Sequence, residues 1–171
     1  MGEIKVSVVI PLKNGEATIR KCIKGIKKQT LFNLTEVIII DSSSIDNSIQ
    51  IIKNLLPDAI IITIKPEEFN HGLTRNLGVQ KARGKYILMT VQDAIPEDNL
   101  LLEKMIRHFD DPDVAGVCGQ QIVPHRKDIN PHQWFRPVNE PTIKKISFNA
   151  ESEFEALTPE IKRNTCSWDN V

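Results

Sequence analysis

Lys5–Pro11 reads KVSVVIP and Glu36–Asp41 reads EVIIID, and both are runs of β-branched apolar residues closed by proline or aspartate. Ala59–Ile64 (AIIITI) and Tyr86–Val91 (YILMTV) repeat the pattern further along the chain. Short apolar runs of this kind, without strict alternation of polar and apolar residues, are typical of strands buried on both faces of a parallel sheet. The sequence therefore predicts four fully buried parallel strands.

Helical periodicity occupies the stretches between and after these strands. The predicted helices cover Ala17–Lys28, Asp46–Leu56, Leu73–Ala82 and Glu97–Phe109. Alternating strands and helices predict right-handed crossovers and a doubly wound α/β fold, whose ligand binds at the carboxyl ends of the strands. A further short strand is predicted near Val114–Val123, and one or two helical turns within Glu151–Leu157.

Length and composition narrow the class of protein. The chain has 171 residues, with 22 Lys and Arg against 22 Asp and Glu, so no global positive field favours nucleic acid as the main partner. No apolar run approaches the roughly 20 residues of a membrane-spanning helix. Three widely spaced cysteines, Cys22, Cys118 and Cys166, favour a reducing compartment over a disulfide framework or a paired-cysteine metal site. No export leader precedes the first strand, so a cytoplasmic location is expected.

The chain changes character after Val123. Four prolines fall between positions 124 and 141, without a clear hydrophobic period. We therefore predict an α/β core over residues 1–123 and an irregular segment over residues 124–171 of the same domain. Trp134 and Phe135 in this segment either stack on a ligand or cover the core, while His125 and His132 are too far apart to be assigned as ligands.

Polar side chains collect where the predicted strands end. The first three strands are followed by LKNGE, by SSSID after Asp41, and by NHGLTRN, whereas Gln92 and Asp93 follow the fourth. Acidic groups there would bind a metal or ribose hydroxyls, and His71 and Arg75 would bind phosphate, which suits a nucleotide with a divalent cation. The chain carries no P-loop, GxGxxG, HExxH or GxSxG motif, which argues against kinase, dinucleotide, zinc-protease and serine-hydrolase functions.

Local structure offers competing roles for some of these residues. Asp41 would cap the next helix or hold its own loop, and Asp46 would serve the start of that helix, with Ser44 as its cap. Asn70 is the expected cap of the third helix, and Asn76 is expected to face solvent. Cys118 is predicted to lie in the core.

Four motifs in this order resemble family 2 glycosyltransferases of the GT-A fold, within their rhamnosyltransferase-like branch. VSVVIPLKNGE (residues 6–16) is similar to that family's first strand and nucleotide loop, and EVIIIDSSSID (residues 36–46) to its second strand and acidic turn. FNHGLTRNLG (residues 69–78) resembles a helix start of the family, and GKYILMTVQDAIP (residues 84–96) the strand before its Asp-x-Asp motif. The resemblance covers about residues 4–123.

The resemblance implies a nucleotide-sugar site with a Mg²⁺ or Mn²⁺ ion. Asp41 would recognise the base or ribose, Arg75 would lie near the base and the diphosphate, and Asp93 would ligate the metal. Val91 stands where the motif has its first aspartate, which weakens the metal prediction. The full set of predicted nucleotide-sugar-binding residues is Pro11, Leu12, Asn14, Glu16, Asp41, Ser43, His71, Arg75, Gln92 and Asp93.

The resemblance also implies an inverting transfer of a sugar from a nucleoside diphosphate to a hydroxyl, in the synthesis of a bacterial surface polysaccharide. The acceptor would be a saccharide or a lipid-linked saccharide, which adds a peripheral position at the inner face of the membrane to the expected locations. The catalytic base is expected beyond Val171. The alternatives are a non-catalytic nucleotide-binding or regulatory α/β module and, with less support because no acidic cluster follows the first strand, a receiver-like signalling domain.

Overall fold

The computed structural model describes residues 3–119 and 145–158 of the protein. The chain divides into two compact units, Met1–Asp110 and Asp111–Val171. The first unit contains the predicted strand ends. Because residues 120–144 lie outside the described part, the division predicted at residue 123 stays a prediction.

A parallel sheet forms the centre of the first unit, as predicted. Its strands are β1 (Val6–Leu12), β2 (Thr35–Asp41), β3 (Ile60–Thr63) and β4 (Tyr86–Met89), in the order β3-β2-β1-β4. The register runs from Val6 opposite Thr35 to Leu12 opposite Asp41 between β1 and β2, while Val6 pairs with Tyr86 on the other side. All pairings are parallel, so the carboxyl ends of the strands lie at one edge of the sheet.

Helices connect the strands in the predicted alternation. They are α1 (Ile19–Lys27), α2 (Ser48–Leu55), α3 (His71–Lys81) and α4 (Leu101–Ile106), with short 3-10 segments at Phe32–Leu34, Pro66–Glu68 and Arg107–Asp110. Within residues 3–119 and 145–158, no helix has the length and apolar character needed to cross a bilayer.

Burial separates the central strands from the outer ones. β1 and β2 are almost entirely buried, because each has a strand on both sides and helices against its faces. β3 and β4 are only half-buried, and Met89 on β4 is 48% exposed. The prediction of four fully buried strands is therefore wrong for β3 and β4, which pair with a single neighbour in the described sheet.

Two apolar clusters hold the helices to the sheet. On one face, α1 buries Ile19, Cys22, Ile23 and Ile26 against alternate residues of β1 and β2. On the other face, α3 packs against β1 and β2, and an added Cβ at Gly78 would lie 2.3 Å from Val9 Cγ1. Glycine at this position is therefore what allows the helix backbone to approach β1 so closely.

Three sequence predictions near residues 97–119 need correction. The fourth helix begins at Leu101 rather than Glu97, because the Asp98 side chain accepts a hydrogen bond from Leu100 N (2.9 Å) and forms a turn there. No strand is present at residues 114–119, and the rest of the predicted strand lies outside the described residues. Cys118 is exposed rather than part of the core.

The second unit is described over residues 111–119 and 145–158. Its helix α5 (Glu151–Glu155) falls within the predicted Glu151–Leu157, and Asn149 N donates to the Glu153 carboxylate at 2.8 Å before it. An ion pair joins Lys145 to Asp111 at 3.4 Å. The predictions for His125, His132, Trp134, Phe135 and Cys166 fall outside the described residues.

Candidate functional site

Lys13 joins three strand-end loops at the carboxyl edge of the sheet. Its backbone N–H donates to Gln92 Oε1 (2.9 Å) and its carbonyl accepts from Gln92 Nε2 (3.2 Å), which ties the loop after β1 to the residues after β4. Its side-chain Nζ donates to the carbonyls of Ser42 (2.6 Å) and Ser43 (2.8 Å), beyond β2. Since β1 lies between β2 and β4, this one residue connects the loops on both sides of the central strand.

Asn14 and Ser43 give the two loops their shape. Both have positive backbone φ, at 47° for Asn14 and 55° for Ser43, a region that non-glycine residues rarely adopt. Asn14 N donates to Ser44 Oγ (2.8 Å), and Asn14 Oδ1 accepts from Ile45 N (3.0 Å). Ser43 Oγ donates to the Ile64 carbonyl (2.8 Å). The surrounding bonds therefore hold both backbones in a conformation they would otherwise avoid.

Asp46 organises the start of α2. Its carboxylate accepts from Glu16 N (2.9 Å), from Ser48 N (3.0 Å) and from the Ser48 hydroxyl. Burial opposes ionisation of Asp46, but these hydrogen bonds outweigh it and hold the pKa of its carboxyl below the ordinary value. The predicted role of Asp46 at the helix start is confirmed. Ser44 is not the cap, because its hydroxyl accepts from Asn14 instead.

Glu16 is exposed and its carboxylate faces the same helix start. Asn47 donates to it through both its backbone N (3.2 Å) and its side-chain Nδ2 (2.8 Å). Of the other predicted residues in the loop after β1, Leu12 is buried in the core, Pro11 is half-buried and Asn14 is exposed.

Asp41 is the buried carboxylate of this edge. It is 3% exposed, and both of its carboxylate oxygens accept from Ser44 N at 3.2 Å. The side chain therefore holds its own loop, which is one of the two roles that the sequence left open. Recognition of a base or ribose by Asp41 stays a prediction.

Asp93 is exposed and lies two residues after Val91, whose carbonyl oxygen is 3.7 Å from Cys22 Sγ. Burial, and secondarily the negative charge of Asp93, raise the pKa of the Cys22 thiol to about 12. Within the described part of the chain, no three His, Cys, Asp or Glu side chains converge as a complete metal-ligand set. One carboxylate suits a Mg²⁺-type cation whose remaining ligands are water and substrate phosphates.

The start of α3 brings a cation and an aromatic pair to the edge. Asn70 caps the helix as predicted, accepting from Gly72 N (3.0 Å) and Leu73 N (3.1 Å). The His71 ring is exposed and packs edge-on against Phe69 with centroids 5.0 Å apart. Arg75 is 7% exposed, and its NH1 donates to the His71 carbonyl (2.8 Å). Burial lowers the pKa of Arg75 from its ordinary value.

Sequence reasoning did not predict the framework roles of Lys13, Ser44 and Ser48. Ser48 is fully buried, and its hydroxyl accepts from Gly15 N at 2.7 Å. The signal was the serine-rich turn after Asp41, because short hydroxyl side chains readily bond to neighbouring backbone. The sequence does not show which loop each hydroxyl bonds to in the folded protein.

Comparison with known proteins gives a consistent result. A sequence model described as glycosyl transferase family 2 matches residues 7–158 of this chain. Among curated proteins, the chain is similar to the O-antigen chain rhamnosyltransferase RfbN of Salmonella typhimurium, with 36% identity over 129 residues, covering 75% of this chain and 40% of RfbN. It is also similar to the O-antigen chain rhamnosyltransferase WbaN of Salmonella anatum, with 39% identity over 127 residues, covering 73% and 39% of the two chains.

Among solved structures, the mannosyltransferase PcManGT from Pyrobaculum calidifontis in complex with GDP-Man and Mn²⁺ superposes with a TM-score of 0.57. The identity is 22%, and the match covers 66% of this chain and 34% of that one. At this identity the likeness shows the fold. The chain spans about 40% of the length of the two rhamnosyltransferases.

Proposed function

Because this chain belongs to glycosyl transferase family 2 and has a GT-A fold, we propose that it provides the donor-binding part of an inverting, nucleotide-sugar-dependent glycosyltransferase. The reaction would extend a bacterial surface polysaccharide, with a saccharide or lipid-linked saccharide as acceptor. Its similarity to two O-antigen chain rhamnosyltransferases supports this choice of product.

The observation that carries the proposal is the position of two carboxylates on either side of β1. Asp41 ends β2 and Asp93 follows β4, and the sheet order sets these strands on opposite sides of β1. Adjacent strands lie about 4.8 Å apart, so the two strand ends are separated by about 10 Å. A nucleoside diphosphate would lie across this gap over the β1 loop, with its base near Asp41 and its diphosphate near Asp93.

Several residues would contribute by holding the loops rather than by touching the donor. Both polar atoms of the Gln92 side-chain amide form hydrogen bonds with the Lys13 backbone. The Glu16 carboxylate accepts a hydrogen bond from Asn47. Ser43 would present its backbone, since its hydroxyl is bonded to Ile64. Arg75 would lie near the base and the diphosphate, from its buried position on α3, which packs against β1 and β2, and His71 would lie at the start of the same helix.

In the reaction, the bond from the anomeric carbon to the diphosphate oxygen breaks as the acceptor oxygen attacks. Positive charge develops on the sugar and negative charge on the departing diphosphate. A divalent cation held by Asp93 would neutralise part of that negative charge. A base that removes the acceptor proton is expected beyond Val171, and no carboxylate of α5 is assigned to this step.

Isothermal titration calorimetry on the full chain tests the donor site directly. We expect one of UDP, GDP and dTDP to bind in the presence of Mn²⁺, and Asp93→Ala to abolish that binding. Asp58→Ala is the matched control, because Asp58 is exposed and precedes β3 at the opposite edge of the sheet.

Absence of binding with all three nucleotides would refute the donor site. Binding that is independent of both Mn²⁺ and Asp93 would instead favour a non-catalytic nucleotide-binding module. Val91 stands where the family motif has its first aspartate, and this missing carboxylate is the feature of the chain that favours such a module.

A further inference from the structure

Helix α1 presents a line of cations to solvent. Lys21, Lys24 and Lys28 are spaced by three and four residues, so they lie on one side of the helix and its C-terminal cap, and all three are exposed. Arg20 and Lys27 are exposed beside them. The sequence has no Asp or Glu between Glu16 and Glu36. Within residues 3–119 and 145–158, no ion pair involves a cation of this helix.

The three lysines form one wall of a groove of about 350 Å³. The opposite wall is the segment from Ile95 to Asn99. Ile95 is 54% exposed, so an apolar side chain stands beside the cations at the rim. We call this surface, made of the three lysines and Ile95, the α1 lysine face.

The two walls of the groove are fixed to each other. Gln29 Nε2 donates to the Asp98 carbonyl (2.6 Å), and Thr30 N donates to the Asn99 carbonyl (3.0 Å). An added Cβ at Gly25 would lie 2.7 Å from Pro96 Cδ, so the helix backbone touches the segment directly. The cations and Ile95 therefore form a preformed surface.

Two carboxylates line the groove opposite the lysines, Glu97 and Asp98. Asp98 is already paired, since Lys104 Nζ and Leu100 N both donate to its carboxylate. Hydrogen bonds from Lys104 and from the Leu100 backbone lower the pKa of Asp98, so it stays ionised within that pair. Three lysines therefore face one remaining carboxylate, and the field over the groove is positive.

We propose that the α1 lysine face docks on an anionic phospholipid bilayer. The lysines are spread along about 10 Å of helix and do not converge on one point, which suits a charged plane better than a single bound anion. An apolar residue beside cations suits the boundary between headgroups and acyl chains.

Docking by this face would also place the candidate donor site at the membrane surface. Ile95 lies two residues after Asp93, on the loop that follows β4. A lipid-linked acceptor would then approach the site along the bilayer. This consequence rests on the proposed function, whereas bilayer binding itself does not.

Vesicle sedimentation without nucleotide or metal tests the proposal on the full chain. We expect binding to phosphatidylcholine vesicles that contain about one-third phosphatidylglycerol, and little binding to pure phosphatidylcholine. Each cation near an anionic surface contributes about fivefold to partitioning, so replacing Lys21, Lys24 and Lys28 with glutamine should lower it about a hundredfold. Raising NaCl from about 0.1 M to about 0.5 M should release the wild-type chain as the Debye length shrinks.

A second triple variant with the same change in net charge is the control. Lys53→Gln, Lys81→Gln and Arg107→Gln remove three exposed cations outside the groove and should leave most of the binding intact. Circular dichroism confirms that both variants are folded. Equal losses in the two variants would overturn the proposal, as would equal binding to neutral vesicles. Binding of poly(U) RNA through the same lysines without vesicle binding would also overturn it.

Discussion

Replacing Glu36 with glutamine is expected to destabilise the first unit by about 2 kcal/mol at neutral pH. Glu36 lies at the amino-terminal edge of the sheet, opposite the candidate site, and is 8% exposed. Its Oε1 accepts from Ser7 Oγ (2.6 Å) and Arg83 N (2.7 Å), and its Oε2 from Arg83 Nε (2.9 Å) and NH2 (2.7 Å). Ser7 Oγ in turn accepts from Gly84 N (2.9 Å), so the network joins β1, β2 and the turn before β4.

The magnitude follows from which bonds glutamine keeps. Its carbonyl oxygen still accepts from Ser7 and the Arg83 backbone, but these bonds lose their charge assistance, at about 0.5 to 1 kcal/mol each. Its NH₂ group then faces the Arg83 guanidinium and the ion pair is lost. Because the Arg83 side chain is 68% exposed, that pair contributes only about 0.5 to 1 kcal/mol.

Urea unfolding followed by far-UV circular dichroism measures the change. With a slope near 2 kcal/mol per molar urea, the midpoint should fall by about 1 M. Glu103→Gln, on the exposed side of α4, is the control and should leave the midpoint unchanged.

The effect should also depend on pH. Burial opposes ionisation of Glu36, but the hydrogen bonds from Ser7 and Arg83 outweigh it and hold the pKa of the carboxyl below its ordinary value. The stabilisation is therefore fully present above the unfolded pKa, about 4.3, and is lost as the pH falls through the folded value. The gap between wild type and Glu36→Gln should be constant near neutrality and narrow below about pH 4. Equal midpoints at pH 7, or a gap that does not narrow in acid, would refute the reasoning.

Three further predictions concern single residues of the first unit. Gly78→Ala should lower the free energy of unfolding by about 1 to 3 kcal/mol in the same urea assay, because its Cβ would overlap Val9 Cγ1 at 2.3 Å. Asn70→Ala should cost about 1 kcal/mol through loss of the α3 cap, while Asn76→Ala, exposed on the same helix, should cost nothing; equal losses would contradict the capping role. Cys22, whose thiol pKa is raised to about 12, should resist DTNB at pH 8 until the protein unfolds, and fast labelling of this residue in the native protein, checked by mass spectrometry, would contradict its burial.

The sheet could be predicted from sequence because the central strands are buried on both faces. Apart from Ser7, Glu36 and Asp41, burial on both faces leaves mainly apolar residues in β1 and β2, and these form the runs that mark a parallel sheet. The same pattern gave a wrong prediction of burial for β4, because YILM is as apolar as EVIIID and yet exposes Ile87 and Met89. Apolar composition does not encode a strand's place in the sheet, which depends on pairing distant in sequence.

The position of the candidate site could be predicted from sequence, but the hydrogen bonds among its residues could not. Strand-end positions follow from the parallel topology alone, and they placed Asp41 and Asp93 at the same edge. The use of several polar groups depends on partners about 30 to 80 residues away, such as Ser44 for Asn14 and Gln92 for Lys13. Short-range rules succeeded only where the partner was local, as with Asn70 and the first residues of α3.

Asp41 and Asp93 differ in a way that bears on the roles proposed for them. Asp41 is buried and bonded to Ser44 of its own loop, so a ligand that reaches it must meet a side chain already fixed in position. Asp93 is exposed, so a cation can reach its carboxylate directly. A rigid contact suits recognition of a flat, invariant group such as a base, because little ordering remains to be done on binding. An accessible carboxylate suits a cation that must arrive and leave with the diphosphate, so under the proposed function the base would lie at the β2 end and the metal at the β4 end.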